Sequence, residues 1–199
     1  MLHYEFGTGI RNPSPFFELN QRYFGNYAGS DFHDFRMRLR RTRDGIAGAY
    51  FNGEPTAVLQ TMRFQSGGNS LEIPKTSGEL TGGETYMNYD PAGNTLVFVT
   101  FTVEPSLRHQ SVNGSHLTDA ALKDLISHYD GVEFMITYSP ATRAAVKMHL
   151  RHGARPVMRL PKARPGLVID GAPAEDVVVM GYEWPSYDMS ILGDFKIEA

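Results

Sequence analysis

The chain has 199 residues, no cysteine, 41% hydrophobic residues and a formal net charge of −3 at pH 7. That length can bury one core without metal or disulfide support, and the missing thiol excludes disulfides, thiolate nucleophiles and zinc–thiolate sites. The slightly acidic balance argues against general attraction to nucleic acid, and no amino-terminal leader or bilayer-length apolar run is visible, so one cytoplasmic domain over residues 1–199 with no membrane contact is expected.

Residues 1–11 read as an entry segment or first strand. Ser14 and Pro15 open a helix with apolar positions Phe16, Leu19 and Tyr23, and Gly25 is its stop. Ser30 or Asp31 starts a second helix, in which Phe32, Phe35 and Leu39 make a stripe while Arg36, Arg38, Arg40, Arg41 and Arg43 crowd the rest. Those arginines read either as a solvated face or as a basic patch for phosphates, for an acidic carrier protein or for nucleic acid. Residues 46–51 and 56–64 are β-rich runs joined by Asn52-Gly53-Glu54-Pro55, a hairpin signal. Periodicity then lapses over about residues 65–93, a Gly-, Ser- and Thr-rich insertion long enough to be a functional loop. Within it residues 84–89 spell a short strand, and Tyr86 and Tyr89 read either as contacts of a lid over a substrate or as packing.

Residues 95–103 (TLVFVTFTV) are β-branched or aromatic almost throughout, as suits a strand buried on both faces. The polar loop 104–115 leads into a helix over 116–129, with Leu117, Ala121, Leu125 and Tyr129 at helical spacing. Residues 132–138 read as a second buried strand, after which Ser139 caps a helix with Pro140 at its first position and Gly153 at its end. A strand feeding a Gly- and Ser-containing loop and a helix amino terminus can hold a phosphate, because the first helical amides lack partners and carry the positive end of the dipole. Residues 156–160, 167–170 and 177–182 look like closing strands. The tail, residues 185–199, carries Tyr187, Ile191, Leu192 and Phe195 and is expected to dock on the body or on a partner, a homodimer included.

The run Val103-x-Pro105-x-x-Arg108-x-x-Ser111-x-Asn113-Gly114-Ser115-His116-Leu117 resembles the acyl-CoA-binding motif of the GCN5-related N-acetyltransferase (GNAT) superfamily, V-x-P-x-x-(R/Q)-x-x-G-x-(G/A)-x-x-L-L. Val103, Pro105, Arg108 and Leu117 match, Val112 stands between the motif's two glycine positions, and those glycines fall on Ser111 and Asn113. Asn tolerates left-handed backbone angles, and Gly114 follows at once. Further on, Thr142-x-x-Ala145-x-x-Met148-His149-x-x-x-Gly153-Ala154 is similar to N-x-x-A-x-x-(F/L)-Y-x-x-x-G-F, with His149 where the family often has tyrosine. With the strand between them the two motifs span residues 103–154, about a quarter of the chain.

The resemblance implies an α/β fold with a central twisted mixed sheet flanked by helices. It also implies an N-acyltransferase that moves an acyl group from acetyl-CoA or another acyl-CoA to an amine of a small molecule or peptide. The pyrophosphate would lie on the amides of Gln110, Ser111, Val112, Asn113, Gly114 and Ser115, with Arg108 and Thr142 beside it and the pantetheine arm between two diverging strands. A backbone amide near Val103 would take the oxyanion. His149 is the first candidate for the acid that protonates the departing thiolate, with a packing histidine as the bland alternative, and Tyr138 is the second. The central strand has no carboxylate, so the base would be Glu104 or Glu84. No metal is expected, because His149 and His152 lack a third ligand at suitable spacing. An acyl carrier protein as donor, or a non-catalytic binding module of the same fold, are the alternatives.

Overall fold

The computed structural model describes residues 1–24, 31–83, 85–112, 114–141, 143–160 and 176–193. In chain order the elements are β1 (Leu2–Phe6), α1 (Ser14–Phe24), α2 (Phe32–Arg41), β2 (Ile46–Phe51), β3 (Glu54–Phe64), α3 (Ser77–Thr81) and β4 (Thr95–Val103). A two-residue hairpin, β5 (Ser111–Val112) and β6 (Ser115–His116), precedes α4 (Leu117–Ile126), β7 (Phe134–Pro140), α5 (Arg143–Arg151), β8 (Arg155–Leu160) and β9 (Val177–Tyr182). Among the described residues seven strands form one mixed sheet in the order β1-β2-β3-β4-β7-β9-β8, in which only β4 and β7 run parallel.

Alternation along the strands sends successive residues to opposite faces and so sorts the helices. Ile46 and Val58 are buried with Phe16 and Leu19 of α1 and Phe35 and Leu39 of α2, while their neighbours Ala47 and Leu59 are buried with Leu125 of α4 and Val146 of α5. The apolar stripes therefore face the sheet as their spacing predicts, except that Tyr23 lies 37% exposed at the end of α1 and Phe32 is half-buried against Phe17. Asp31 starts α2 by accepting the Asp34 amide at 2.9 Å. Asn52 and Gly53 turn the β2–β3 hairpin with φ of +53° and +88°, the pair of positive angles that a type I′ turn needs.

Two irregularities position the site. β4 pairs with β7 only over Thr95 to Phe98; beyond that, Tyr138 to Pro140 pair with β9 while Thr100 to Val103 stay with β3, and the two strands separate. At the same level the β3–β4 register shifts between Gln60 and Thr61 and leaves Val99 with no residue opposite, a β-bulge. Val99 then packs with Met62 and Val97, and the next residue, Thr100, donates its hydroxyl to Asn20 of α1 at 3.0 Å.

Several local readings change. Ser139 and Pro140 do not open a helix: they pair with Val178 and Val177, and the Ala141 amide bonds Asp176 O at 2.9 Å, so the strand runs on and α5 starts at Arg143. The sheet partner overrides the local Ser-Pro signal. Residues 85–89 make turns rather than a strand, because Tyr89 is tied to the α2–β2 corner, donating to Asp44 Oδ1 at 2.7 Å and accepting from the Arg43 amide at 3.1 Å. Tyr86 lies under the Arg38 guanidinium at 5.4 Å, which favours packing for both tyrosines. Arg38 also leaves the expected basic patch, since it is buried and donates to Thr61 O at 3.3 Å. Arg36, Arg40, Arg41 and Arg43 remain exposed. Leu192 and Ile191 of the tail dock on the core, and Tyr187 is exposed. The expected strand at 167–170 and Phe195 lie outside the described residues. No helix among the described residues is long and apolar enough to cross a membrane.

Candidate active site

A cavity of about 530 Å³ opens where β4 and β7 separate. Phe98 to Phe101 and Val103 form one wall and Thr137 to Pro140 the other, and α4, α5, β9 and Tyr23 of α1 close it. A mostly apolar hollow with a few convergent polar groups is the usual form of a small-molecule site. No Asp, Glu or Lys is among its described lining residues.

The free edge of β4 presents backbone groups to this opening. Glu104 donates its amide to Thr56 O at 2.8 Å, so the alternation of an antiparallel ladder turns the polar groups of Val103 and Phe101 away from β3. Val103 O accordingly accepts Arg108 Nε at 3.0 Å. The Arg108 guanidinium lies 5.1 Å over the Tyr23 ring, which fixes a positive charge at the rim.

His149 reaches the cavity from α5, and its Nδ1 lies 3.0 Å from the hydroxyl of Tyr182 on β9. Burial, with the neighbouring His152 adding to it, holds the imidazole down at about 4, and burial pushes the phenol up to about 12. Both groups are therefore neutral near pH 7, and His149 is not an imidazolium acid there, unlike the unperturbed side chain. The Tyr182 ring meets Phe98 edge-on at 6.2 Å. Sequence reasoning passed over Tyr182. Its signal was the strand alternation that puts Val178, Met180 and Tyr182 on the face covered by α5.

The other expected acids and bases are placed differently. Tyr138 lines the cavity, yet its hydroxyl donates to Pro74 O at 2.6 Å, and burial raises its pKa well above the ordinary tyrosine range. Glu104 is not among the lining residues and takes Arg22 Nη1 at 2.8 Å. His152 bridges α5 to α4 through Asp119 Oδ1 at 2.9 Å. Glu84, Asn113 and Thr142 lie outside the described residues.

Part of the expected phosphate cradle is used within the loop. The Gln110 amide bonds Leu107 O at 3.0 Å, Ser111 and Val112 pair with His116 and Ser115, and the Leu117 amide bonds Gln110 O at 2.8 Å. Gly114 turns this hairpin with φ +83°, and Val112 packs on the cluster of Val103 and Leu117. His116 gives α4 no side-chain cap, and with the Leu117 amide already used, the amides of Thr118 and Asp119 are the first-turn donors left to meet an anion, beside the exposed Ser111, Gly114 and Ser115.

No family model matches the chain, and no curated protein sequence does. Solved structures match over nearly the whole chain. The GNAT-like decarboxylase GphF in complex with isobutyryl-CoA aligns over 92% of this chain and 98% of its own, at 15% identity and a TM-score of 0.61. A Bacillus subtilis acetyltransferase in complex with CoA aligns over 92% and 98%, at 13% identity and a TM-score of 0.58. The chain has the GNAT fold. A third structure, the ribosomal-protein-S18-alanine N-acetyltransferase from Escherichia coli, aligns over 94% and 97%, at 12% identity and a TM-score of 0.56. At identities this low the likeness shows the fold alone.

Proposed function

We propose that this GNAT-fold chain is an acyltransferase that moves an acyl group from an acyl-CoA to an amine of a small molecule or peptide. The observation that carries the reading is the cavity between the separating strands, with a neutral His149–Tyr182 pair in its wall. Two of the similar structures were solved with isobutyryl-CoA and with CoA. The pantetheine arm would use the free edge of β4, where the polar groups of Val103 and Phe101 supply ladder bonds and an oxyanion donor. The pyrophosphate would meet Arg108 and the first turn of α4.

The described cavity wall offers no carboxylate base, so the acceptor should bring its own free amine. At pH 7 a lysine of pKa about 10.4 must lose a proton at a cost of about 4.6 kcal/mol, whereas an α-amine of pKa about 7.8 costs about 1 kcal/mol. An α-amine or a similarly weak base is the preferred acceptor. The test follows release of free CoA thiol from acetyl-CoA and isobutyryl-CoA with a peptide offering only an α-amine and one offering only an internal lysine. Turnover on the α-amine supports the reading, and turnover on the lysine alone contradicts the acceptor assignment. The exposed Arg36, Arg40, Arg41 and Arg43 favour one variation, a donor borne on an acidic carrier protein; charge reversal there that left turnover unchanged would defeat it.

A further inference from the structure

Resting on the acyltransferase reading above, we propose that Tyr182 is the group that protonates the departing thiolate, and that His149 positions it. His149 occupies the helix position where the resembling motif often carries tyrosine, but its imidazole is met at 3.0 Å by a hydroxyl from the facing strand β9. Tyr182 thus lines the same cavity as His149, from the sheet strand β9 rather than from the helix.

Three observations favour Tyr182 over the other tyrosines lining the cavity. Tyr138 has its hydroxyl proton committed to Pro74 O. Tyr23 is more than a third exposed and lies at the rim under Arg108. Tyr182 is 8% exposed, is held edge-on by Phe98, and has His149 as the described partner of its hydroxyl. Neutral His149 fits the supporting role. With its proton on Nδ1 it donates to the tyrosine oxygen, which frees the O–H to point at sulfur and stabilises negative charge as it develops there.

The step balances without a further reactant. The amine nitrogen bonds the thioester carbon, the C–S bond breaks, and sulfur takes the Tyr182 proton to leave as a thiol. The phenolate oxygen then takes back the proton that the nitrogen sheds on becoming an amide. Tyr182 and His149 end as they began.

The test compares wild type, Tyr182→Phe, His149→Leu and the double variant, each confirmed folded by thermal melt, on two donors with the same acyl group. One donor is acetyl-CoA, and the other is an acetyl thioester of an electron-poor aromatic thiol, which leaves without protonation. Tyr182→Phe should lower kcat on acetyl-CoA by about 100-fold or more with little change in KM, and should lose far less on the aromatic thioester. His149→Leu should lose less than Tyr182→Phe on acetyl-CoA, and the double variant should lose no more than Tyr182→Phe alone, because both act on one proton. An unchanged kcat, an equal loss on both donors, or additive losses overturn the assignment. Absence of transfer by the wild-type protein from either donor instead overturns the acyltransferase reading and takes this assignment with it.

Discussion

Burial beside His152 holds His149 at about 4, against about 6.5 for an unperturbed imidazole. Below pH 6.5 the unfolded chain takes up a proton that the folded chain refuses, so this group's contribution is complete above pH 6.5 and falls until about pH 4, by roughly 3 kcal/mol. His149→Leu should therefore narrow the stability difference between pH 7 and pH 5 by about 2 kcal/mol in urea melts; an unchanged difference would show that the imidazole titrates normally. Glu104 yields the opposite kind of expectation. Its carboxylate is held by Arg22 outside the cavity lining, so Glu104→Gln should leave kcat within about threefold of wild type, since an exposed pair of this kind contributes little. A motif spacing points at His149 in the sequence. Tyr182 is marked only by the strand alternation that puts it on the α5 face, and its contact with a residue 33 positions away is encoded in no local pattern.

Elements whose signals are local were the readable ones. β4 and β9 occupy the runs that their β-branched composition marked, and Asn52-Gly53 turns the hairpin it announced. The misreadings sit where a sheet partner decides: Ser139-Pro140 looks like a helix start in isolation but completes a ladder with Val178 and Val177. The same dependence on packing applies at Gly48 in β2, where an added Cβ would lie 2.4 Å from the Phe16 ring of α1. Gly48→Ala should cost about 1 to 3 kcal/mol through overpacking between helix and sheet, read as a lower Tm; a neutral substitution would mean that α1 is free to shift.

The molecule as a whole is a sheet that parts in its middle, and the parting was the least visible feature in the sequence. It arises because β7 follows β9 after Thr137 while β4 follows β3 after Phe98, a divergence of partners that neither strand's composition reports. Family resemblance supplied the expectation of diverging strands, and the register supplies the place. If an acyl-CoA occupies that opening, the direct check is a thermal-melt titration with acetyl-CoA, CoA and isobutyryl-CoA, run beside Ala145→Phe, a substitution that fills the cavity. At about 100 times Kd, one-site binding adds about 2.7 kcal/mol, a rise in Tm of about 5 to 11 °C for a domain of this size. The account predicts that rise for the wild-type protein and its loss in the cooperatively melting variant. No rise with any of the three ligands, or an equal rise in Ala145→Phe, would contradict it.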